Sequence, residues 1–367
     1  MQHVGGGRCG GGPWRDHRVA RPIDGDMKAT LEHILLKPHY PFRISRETQA
    51  QRDVFVVELE WEGITGYGEA SPSPYYGETA KTAVSAFAKV KKKLHGDPDG
   101  LRERIANGDL RKTLDRHASV RAALDTALWD IIGKRAGKPL YEILGLDPAK
   151  TPATSFTIGI DTPEIVDRKI DDAAPYHILK MKMGFPGDLG LLARVIARSG
   201  KTIRVDANEG WEVETAIQMC RELADKRIEF VEQPIRHESE EDLRTLKRLS
   251  PIPVILDESV RTVADVAARR DQGHGINVKL MKCGGITPAL AMIEESRRVG
   301  LKVMLGCMIE TSIAVTAAAH LSPLVDYADL DGNLLVTNDP FVGVTVRNGK
   351  LVLPSGPGLG VARRLSS

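Results

Sequence analysis

From Lys150 onward, short apolar segments alternate with amphipathic helical segments, and this alternation constrains the fold more than any other feature. Eight of the apolar segments have the length and composition of buried strands. They cover residues 154–160, 177–183, 202–207, 228–233, 253–257, 275–280, 302–307 and 327–331. Eight strand–helix repeats are typical of an α/β (β/α)₈ barrel, a modified TIM barrel. A doubly wound open sheet is the alternative, but it usually has fewer strands and does not require polar residues at nearly every strand end.

The segments on either side of the barrel have a different order. Before it, strand-like runs come first, with a hairpin predicted around Glu62-Gly63, and helices follow. After it, an Asn348-Gly349 turn between two short apolar runs predicts a terminal hairpin. We therefore predict an α+β capping domain over 27–148, a catalytic barrel over 149–335, and a segment over 336–367 that returns to complete the capping domain.

The first 26 residues differ from the rest of the chain. They contain a glycine-rich run around Cys9 and several charges but no apolar stretch, so they do not resemble a signal peptide. We expect residues 1–26 to be a disordered leader. Met27 directly precedes the first strand-like run and is an alternative start of the protein.

The charge balance and cysteine content exclude several classes of function. Lys plus Arg (51) nearly equal Asp plus Glu (49), which argues against nucleic acid or an anionic membrane as the main partner. No apolar run approaches the length of a membrane span. The four cysteines are scattered, which fits neither a zinc site nor a disulfide framework and favours a cytoplasmic location.

Charged side chains occur where five consecutive barrel strands end. In chain order, the strand ends carry Lys180-Met181-Lys182, Asp206-Ala207-Asn208, Glu232, Asp257 and Lys279. The spacing between them is one strand–helix unit, so all should reach the C-terminal mouth of the barrel, where barrel enzymes have their active sites. A single acid at a strand end is more often a helix cap, and a single lysine is usually a solvated charge. Five in this register favour a functional site.

The chemistry of these residues indicates metal-assisted proton transfer. Three neighbouring carboxylates repel one another unless a cation lies between them, and all-oxygen ligation selects Mg²⁺ before Mn²⁺ or Ca²⁺. Lys182 and Lys279 should flank the carboxylates on opposite sides. A lysine acts as a base only if its pKa falls towards neutrality, and we expect a divalent cation and the neighbouring Lys180 to lower it. This arrangement suits proton abstraction next to a carboxylate.

The order of these residues resembles the muconate-lactonising subgroup of the enolase superfamily, in which a Lys-x-Lys strand faces a lysine on strand six. The resemblance covers about 27–362 and includes Gly68-Glu69-Ala70 and the Arg121–Asp125 helix. It implies that Lys182 and Lys279 are the acid/base lysines. It further implies one Mg²⁺ per subunit held by three ligands, with two supporting groups beside them. The implied ligands are Asp206, Glu232 and Asp257, and the implied supporting groups are Lys180 and Asn208.

Within this subgroup, the eighth strand is the most informative. Asp329 and Asp331 are spaced to point to the same side of a strand, where they could bind the free ammonium group of a dipeptide. This Asp-x-Asp resembles the dipeptide epimerases, as does the segment around Met308 on strand seven. Alternatively, either aspartate caps the next helix or forms a salt bridge within the barrel.

The other end of the substrate should meet loops of the capping domain. The loop containing Arg43 and Arg46 and the loop containing Tyr76 could close over the barrel mouth. In dipeptide epimerases of the alanyl-glutamate type, an arginine of the first loop faces the glutamate side chain. Arg46 matches that position best, with Arg43 as the alternative.

The resemblance thus implies a Mg²⁺-dependent isomerase that inverts the α-carbon of the C-terminal residue of a dipeptide, of the Ala-Glu type from peptidoglycan turnover. The two lysines would move the proton through an enediolate. The expected partners are the dipeptide and further copies of the chain in a homo-oligomer, with no nucleic acid or membrane. Alternatives are an o-succinylbenzoate synthase or N-succinylamino-acid racemase and, from another class, a non-catalytic metal-binding barrel.

Overall fold

The computed structural model describes residues 27–365, so the predicted leader over 1–26 lies outside the described residues. The strands are β1 (Lys28–Leu36), β2 (Phe42–Arg43), β3 (Thr48–Gln49), β4 (Arg52–Trp61), β5 (Ile64–Ala70), β6 (Ser155–Ile158), β7 (Ile178–Lys182), β8 (Thr202–Asp206), β9 (Ile228–Glu232), β10 (Val254–Leu256), β11 (Gly275–Val278), β12 (Lys302–Gly306), β13 (Tyr327–Asp329), β14 (Phe341–Val342), β15 (Thr345–Arg347), β16 (Lys350–Val352) and β17 (Ala362–Arg363). The helices are α1 (Ala80–Lys91), α2 (Pro98–Ala106), α3 (Asp109–Thr113), α4 (Ala118–Ala136), α5 (Leu140–Ile143), α6 (Pro163–Asp172), α7 (Asp188–Ser199), α8 (Val213–Leu223), α9 (Glu240–Leu249), α10 (Val263–Ala268), α11 (Leu280–Cys283), α12 (Ile286–Arg298) and α13 (Ser312–Ala319). Within this part of the chain, no helix combines the length and apolarity that a membrane span requires.

The N-terminal part packs a three-stranded antiparallel sheet, in the order β1-β4-β5, against the long helix α4. Two glycines allow the close approach of β5 to this helix. A Cβ on Gly68 would lie 1.8 Å from Ala123 O, and one on Gly66 would lie 2.2 Å from Ala127 O. The sequence Gly68-Glu69-Ala70 therefore has a packing reason, because any side chain at Gly68 would push the sheet off the helix.

The eight central strands form one parallel sheet in the sequential order β6 to β13. A parallel bridge between Thr154 and Ala328 joins its first and last strands, so the sheet closes into the predicted barrel. The fold prediction is confirmed. The strands are shorter than predicted at their C-terminal ends, because the chain turns into loops there. After β11, for example, helix α11 begins at Leu280, and Lys279 is its N-cap residue.

The C-terminal segment contacts both parts of the molecule. The predicted hairpin is present as β15 and β16, with Asn348 and Gly349 at positive φ angles of 49° and 70°. An isolated bridge connects Lys350 to Ala153 at the start of the barrel. Farther along, Leu359 N donates to Asp130 of α4 at 2.8 Å. The domain boundaries given above stay a prediction.

Candidate active site

The register of the barrel brings the strand-end residues to one mouth. Lys182 is the Cα partner of Asp206, and Asp206 is the partner of Glu232. Asp257 and Lys279 each lie one residue beyond their strands, β10 and β11. All five side chains are buried, with exposures from 0% to 6%. The structure therefore brings together the two predicted acid/base lysines and the three predicted metal ligands, whose roles stay predictions.

Lys180 lies at the centre of the acidic cluster rather than beside it. Its Nζ is 3.0 Å from Asp206 Oδ2, 2.7 Å from Glu232 Oε2 and 2.6 Å from Asp329 Oδ2. Lys180 projects to the same side of β7 as Lys182 but two residues deeper, where the strands converge. The expected supporting residue is thus in direct contact with two predicted metal ligands. The backbone N of Asn208 donates to Asp206 Oδ1 at 3.0 Å, and the supporting role of this residue stays a prediction.

The two predicted acid/base lysines bind different carboxylates. Lys182 Nζ lies 2.6 Å from Asp206 Oδ2, and Lys279 Nζ lies 2.7 Å from Asp257 Oδ2. The other oxygen of Asp257 accepts from Lys282 at 2.5 Å. Lys282 had no predicted role. Its position one helical turn after Lys279 would have indicated that the two side chains lie close together.

A further residue missed by the sequence analysis fixes Glu232. Asn277 Nδ2 donates to Glu232 Oε1 at 2.7 Å. Asn277 precedes Lys279 by two residues, so the two side chains leave the chain on the same side. That spacing was the available signal.

Burial and like charge oppose ionisation of Glu232. Burial raises its pKa to about 7, with further contributions from the charges of Asp206 and Asp257. Asp206 and Asp257 are equally buried, but their lysine partners outweigh burial and hold the pKa of each carboxyl well below its usual value. Among the three predicted ligands, Glu232 is therefore the carboxyl whose pKa is raised, and no lysine within residues 27–365 donates a hydrogen bond to it.

The charges of the protein alone do not lower the pKa of Lys279, contrary to what the sequence led us to expect. Burial lowers the pKa of Lys279, but Asp257 and Glu232 raise it more, so it lies above its usual value. Negatively charged carboxylates next to a lysine stabilise its ammonium form. A lowered pKa at this position therefore depends on the positive charge of a divalent cation among the carboxylates.

The chemistry of the three carboxylates fits a hard divalent cation such as Mg²⁺. They are at most 1% exposed, and carboxylate oxygens are the ligands that Mg²⁺ prefers. Glu232 Oε2 also has no hydrogen-bond donor among the described residues, because Lys180 Nζ approaches it outside hydrogen-bond geometry. Because its contact with Lys180 is ionic and not a hydrogen bond, Glu232 Oε2 is available to coordinate a metal ion.

A second group of potential ligand atoms lies at the rim of the barrel. Glu209, His237 and Glu238 form the one trio in residues 27–365 whose ligand atoms all lie within 4.8 Å of one another. The oxygens of the three strand-end carboxylates are farther apart than that. The rim groups already satisfy each other, however: the Tyr75 hydroxyl donates to Glu209 at 2.7 Å, and His237 Nδ1 lies 2.7 Å from Glu209. We assign no metal to the rim trio.

Asp329 and Asp331 both line the cavity at the mouth, and their contact with a substrate stays a prediction. Asp329 is held by the protein, since Ser155 Oγ donates to one oxygen at 2.6 Å and Lys180 donates to the other. Asp331 accepts from Thr157 N at 2.6 Å through Oδ2. Burial and the charge of Asp329 raise the pKa of Asp331 to about 7, so this carboxylate would be stabilised by a nearby cation. The salt-bridge alternative thus describes Asp329, while Asp331 has capacity for a ligand.

The loop predicted to cover the mouth does so through Arg46. This guanidinium lines the cavity, but Nη2 is 2.7 Å from Glu258 Oε1 and Nη1 donates to Asn208 O at 3.1 Å. It also lies 4.2 Å from the centre of the Tyr75 ring. Arg43 does not line this cavity. Arg46 is therefore the better placed of the two arginines, with its charge already paired to Glu258, a residue that the sequence analysis did not single out.

The remaining predicted contact residues also line the cavity. Tyr76 ends a short 3₁₀ helix (Pro74–Tyr76), and Met308 follows β12. Arg52, which the sequence analysis missed, also reaches the cavity from the start of β4 and donates to Ser71 Oγ at 3.1 Å. The only indication in the sequence was that Arg52 is a charged residue at the start of an apolar strand.

Comparison with known proteins places this chain among relatives along nearly its whole length. Residues 27–145 match the N-terminal domain of mandelate racemase / muconate lactonizing enzyme, and residues 164–365 match the enolase C-terminal domain-like family. An L-Ala-D/L-Glu epimerase from Bacteroides thetaiotaomicron is 42% identical over 343 residues, which are 93% of this chain and 89% of that protein.

Solved structures agree with this assignment. A dipeptide epimerase from Enterococcus faecalis, complexed with Mg and the dipeptide L-Leu-L-Tyr, is 30% identical with a TM-score of 0.84, over 93% of this chain and 100% of that one. An N-succinyl Arg/Lys racemase from Bacillus cereus is 25% identical with a TM-score of 0.83, over 93% and 96% of the two chains. With both of its domain models matched and a relative at this level of identity, the chain belongs to the mandelate racemase / muconate lactonizing enzyme family of the enolase superfamily.

Proposed function

We propose that this protein is a Mg²⁺-dependent dipeptide epimerase that inverts the α-carbon of the C-terminal residue of its substrate. The observation that carries the proposal is the pair Lys182 and Lys279, whose ammonium groups bind different carboxylates across one buried cavity. Inversion requires a base on one face of the α-carbon and an acid on the other. Two lysines on separate strands of one mouth meet that requirement.

Asp206, Glu232 and Asp257 would hold the cation next to the substrate's carboxylate. Bound Mg²⁺ supplies positive charge that stabilises the negative charge developing there as the α-proton leaves. One lysine accepts that proton at Nζ, and the other donates a proton from the opposite face. Lys282 and Asn277 keep Asp257 and Glu232 oriented through the hydrogen bonds described above.

The carboxylate of Asp331 supports a dipeptide rather than an N-acylated amino acid as substrate. A dipeptide has a free ammonium group, and an acidic side chain in the same cavity can bind it with charge-assisted hydrogen bonds. The relatives that are named epimerases of dipeptides support the same choice. The N-succinylamino-acid racemase reading remains the main rival, because a racemase of that type has nearly the same fold.

The finer parts of the proposal concern the substrate and its setting. We include dipeptides of the Ala-Glu type, from peptidoglycan turnover, as substrates. We also include a cytoplasmic location and a homo-oligomer. The scattered cysteines support the location.

Exchange of the α-proton with solvent tests the proposal directly. The protein is incubated with Mg²⁺ and a dipeptide library in D₂O, and each dipeptide is examined for a mass gain of one deuterium at the α-carbon of its C-terminal residue. A Lys182→Ala/Lys279→Ala double variant, checked for folding, serves as the control and should show no gain. If the α-proton exchanges in N-succinylamino acids but in no dipeptide, the protein is an N-succinylamino-acid racemase and the epimerase proposal is wrong.

A further inference from the structure

A second cavity, of about 400 Å³, lies beside the cavity that contains the lysines. One wall is the loop over residues 38–42, and the other is formed by β6, α6 and the residues after β13. Aromatic and aliphatic side chains dominate the lining, including Tyr40, Phe156, Tyr176 and Leu334. The Phe156 and Tyr176 rings pack with their centres 4.8 Å apart. A mostly apolar cavity of this size is typical of a small-molecule subsite.

The two cavities share part of their lining. Phe42, Thr157 and Leu335 line both of them. The Phe42 ring centre is 5.8 Å from Lys182 Nζ, and Thr157 N donates to Asp331 at 2.6 Å. The second cavity therefore adjoins the active site next to Asp331, the carboxylate that we assign to the substrate's ammonium group.

We propose that the second cavity binds the side chain of the substrate's N-terminal residue, and that a large apolar or aromatic residue is preferred there. This inference rests on the proposed function. The ammonium nitrogen and the side chain of an N-terminal residue are attached to the same α-carbon. An ammonium group at Asp331 therefore places the root of that side chain beside Thr157 and Phe42. An alanine methyl group leaves most of the cavity unfilled.

The polar groups of the second cavity already have partners within the protein. Lys169, which is 5% exposed, already lies there, with its Nζ 3.0 Å from Asp161 and 5.2 Å from the centre of the Tyr40 ring. The Tyr40 hydroxyl donates to Asp172 at 3.1 Å. Because Lys169 is paired with Asp161 and Asp172 accepts from Tyr40, the cavity requires no charged ligand, and an apolar side chain leaves both contacts intact.

The size of the expected preference follows from apolar burial. Complete burial of a leucine or phenylalanine side chain corresponds to a factor of about 10 to 150 in affinity. We therefore expect kcat/KM for Leu-Glu and Phe-Glu to exceed that for Ala-Glu by at least about 10-fold. Lys-Glu should not share this gain.

The test measures α-proton exchange in D₂O for Ala-Glu, Leu-Glu, Phe-Glu and Lys-Glu with the Mg²⁺-loaded protein. The same measurements are made on Leu334→Trp, which should fill the cavity, and on Tyr40→Ala, which should open it. Each variant should reduce the Phe-Glu to Ala-Glu ratio of kcat/KM by about 5-fold or more. Leu249→Trp is the matched control, because Leu249 is exposed at the end of α9 and away from both cavities, and it should keep the native ratio.

The outcomes separate this inference from the proposed function. Equal kcat/KM for Ala-Glu and Phe-Glu, or native ratios in both Leu334→Trp and Tyr40→Ala, would overturn the subsite and leave the epimerase intact. Preference for Lys-Glu would overturn the apolar specificity. Failure of every dipeptide to exchange would refute the epimerase and the subsite together.

Discussion

Lys180 Nζ lies 2.6 Å from Asp329 Oδ2, so one buried ammonium group joins Asp329 of strand β13 to the carboxylates predicted to bind the metal. Lys180 also contacts Asp206 and Glu232, and its charge is shared among carboxylates of three strands. Both oxygens of Asp329 therefore already accept hydrogen bonds from the protein. Asp331 has no lysine partner among the described residues, so it is the member of the Asp-x-Asp pair that gains most from a substrate's ammonium group.

The first prediction concerns metal binding. Mg²⁺ should raise the Tm of the protein by a few degrees at saturating concentration, because a ligand that binds only the folded state stabilises it. Glu232→Gln should lose this increase, since an amide keeps the shape of the side chain but removes a charged ligand. Differential scanning calorimetry with and without Mg²⁺, after treatment with EDTA, measures the effect.

Glu238→Gln is the matched control for that measurement. Glu238 belongs to the rim trio, whose atoms are closer together than those of the predicted ligands. The control should retain the full response to Mg²⁺. If Glu238→Gln loses the response and Glu232→Gln keeps it, the metal site is at the rim.

The residues predicted from the sequence are those that end strands. Lys182, Asp206 and Glu232 are direct partners in the sheet, and an in-register parallel barrel requires neighbouring strand ends to meet. The alternation of apolar and amphipathic segments was sufficient for this part because both the strand period and the helix period are local properties of the sequence.

Contacts that depend on the closed barrel or on the capping loops could not be predicted in the same way. Arg46 and Glu258 are 212 residues apart, and only the packing of the loop onto the mouth brings them together. The position of Lys180 among three carboxylates depends on side chains from β8, β9 and β13 converging on β7. The second cavity lies between a loop and the barrel. Its lining residues are far apart in the chain, so no local sequence pattern predicts it.

The second prediction concerns proton transfer. Each epimer should lose its α-proton to a different lysine, so Lys182→Ala should slow α-proton exchange from one epimer and Lys279→Ala from the other. General-base catalysis contributes about 10²- to 10⁴-fold, and the loss should fall in that range. Nuclear magnetic resonance in D₂O, started from each pure epimer, measures the two rates. Full epimerisation by both single variants would contradict the two-lysine mechanism.

The third prediction concerns stability and pH. Burial raises the pKa of Glu69 to about 8 from 4.5, with a further contribution from Glu310, although Thr311 donates to its carboxylate. Between these two pH values the folded protein retains a proton that the unfolded chain has lost. Stability should therefore fall as the pH rises through this window. Glu69→Gln should reduce the fall in Tm between pH 5.5 and pH 8.

Glu310 contributes to the pH dependence of stability that remains in Glu69→Gln. Burial raises its pKa to about 7, so it contributes a fall of the same sign that persists in Glu69→Gln. Thermal unfolding at both pH values in the wild type, Glu69→Gln and the Glu69→Gln/Glu310→Gln double variant separates the two contributions. An unchanged slope in the double variant would show that neither carboxyl retains its proton on folding.

The last prediction distinguishes a dipeptide epimerase from its racemase relatives. A primary ammonium group held by Asp331 makes charge-assisted hydrogen bonds, each contributing about 1.5–3 kcal/mol. Asp331→Asn keeps an oxygen that can accept from Thr157 N, so the local contact survives while the charge is lost. Its kcat/KM for a free dipeptide should fall by about 10- to 150-fold.

An N-acetylated dipeptide supplies the necessary comparison, because it has the same peptide and side chains but no ammonium group. It should be a poor substrate of the native protein and nearly indifferent to Asp331→Asn. Measuring both substrates with both proteins therefore isolates the charge interaction: the native-to-variant ratio of kcat/KM for the free dipeptide is divided by the same ratio for the acetylated one. If N-acylated substrates turn over faster than free dipeptides with the native protein, Asp331 does not select an ammonium group and the chain is an N-acylamino-acid racemase.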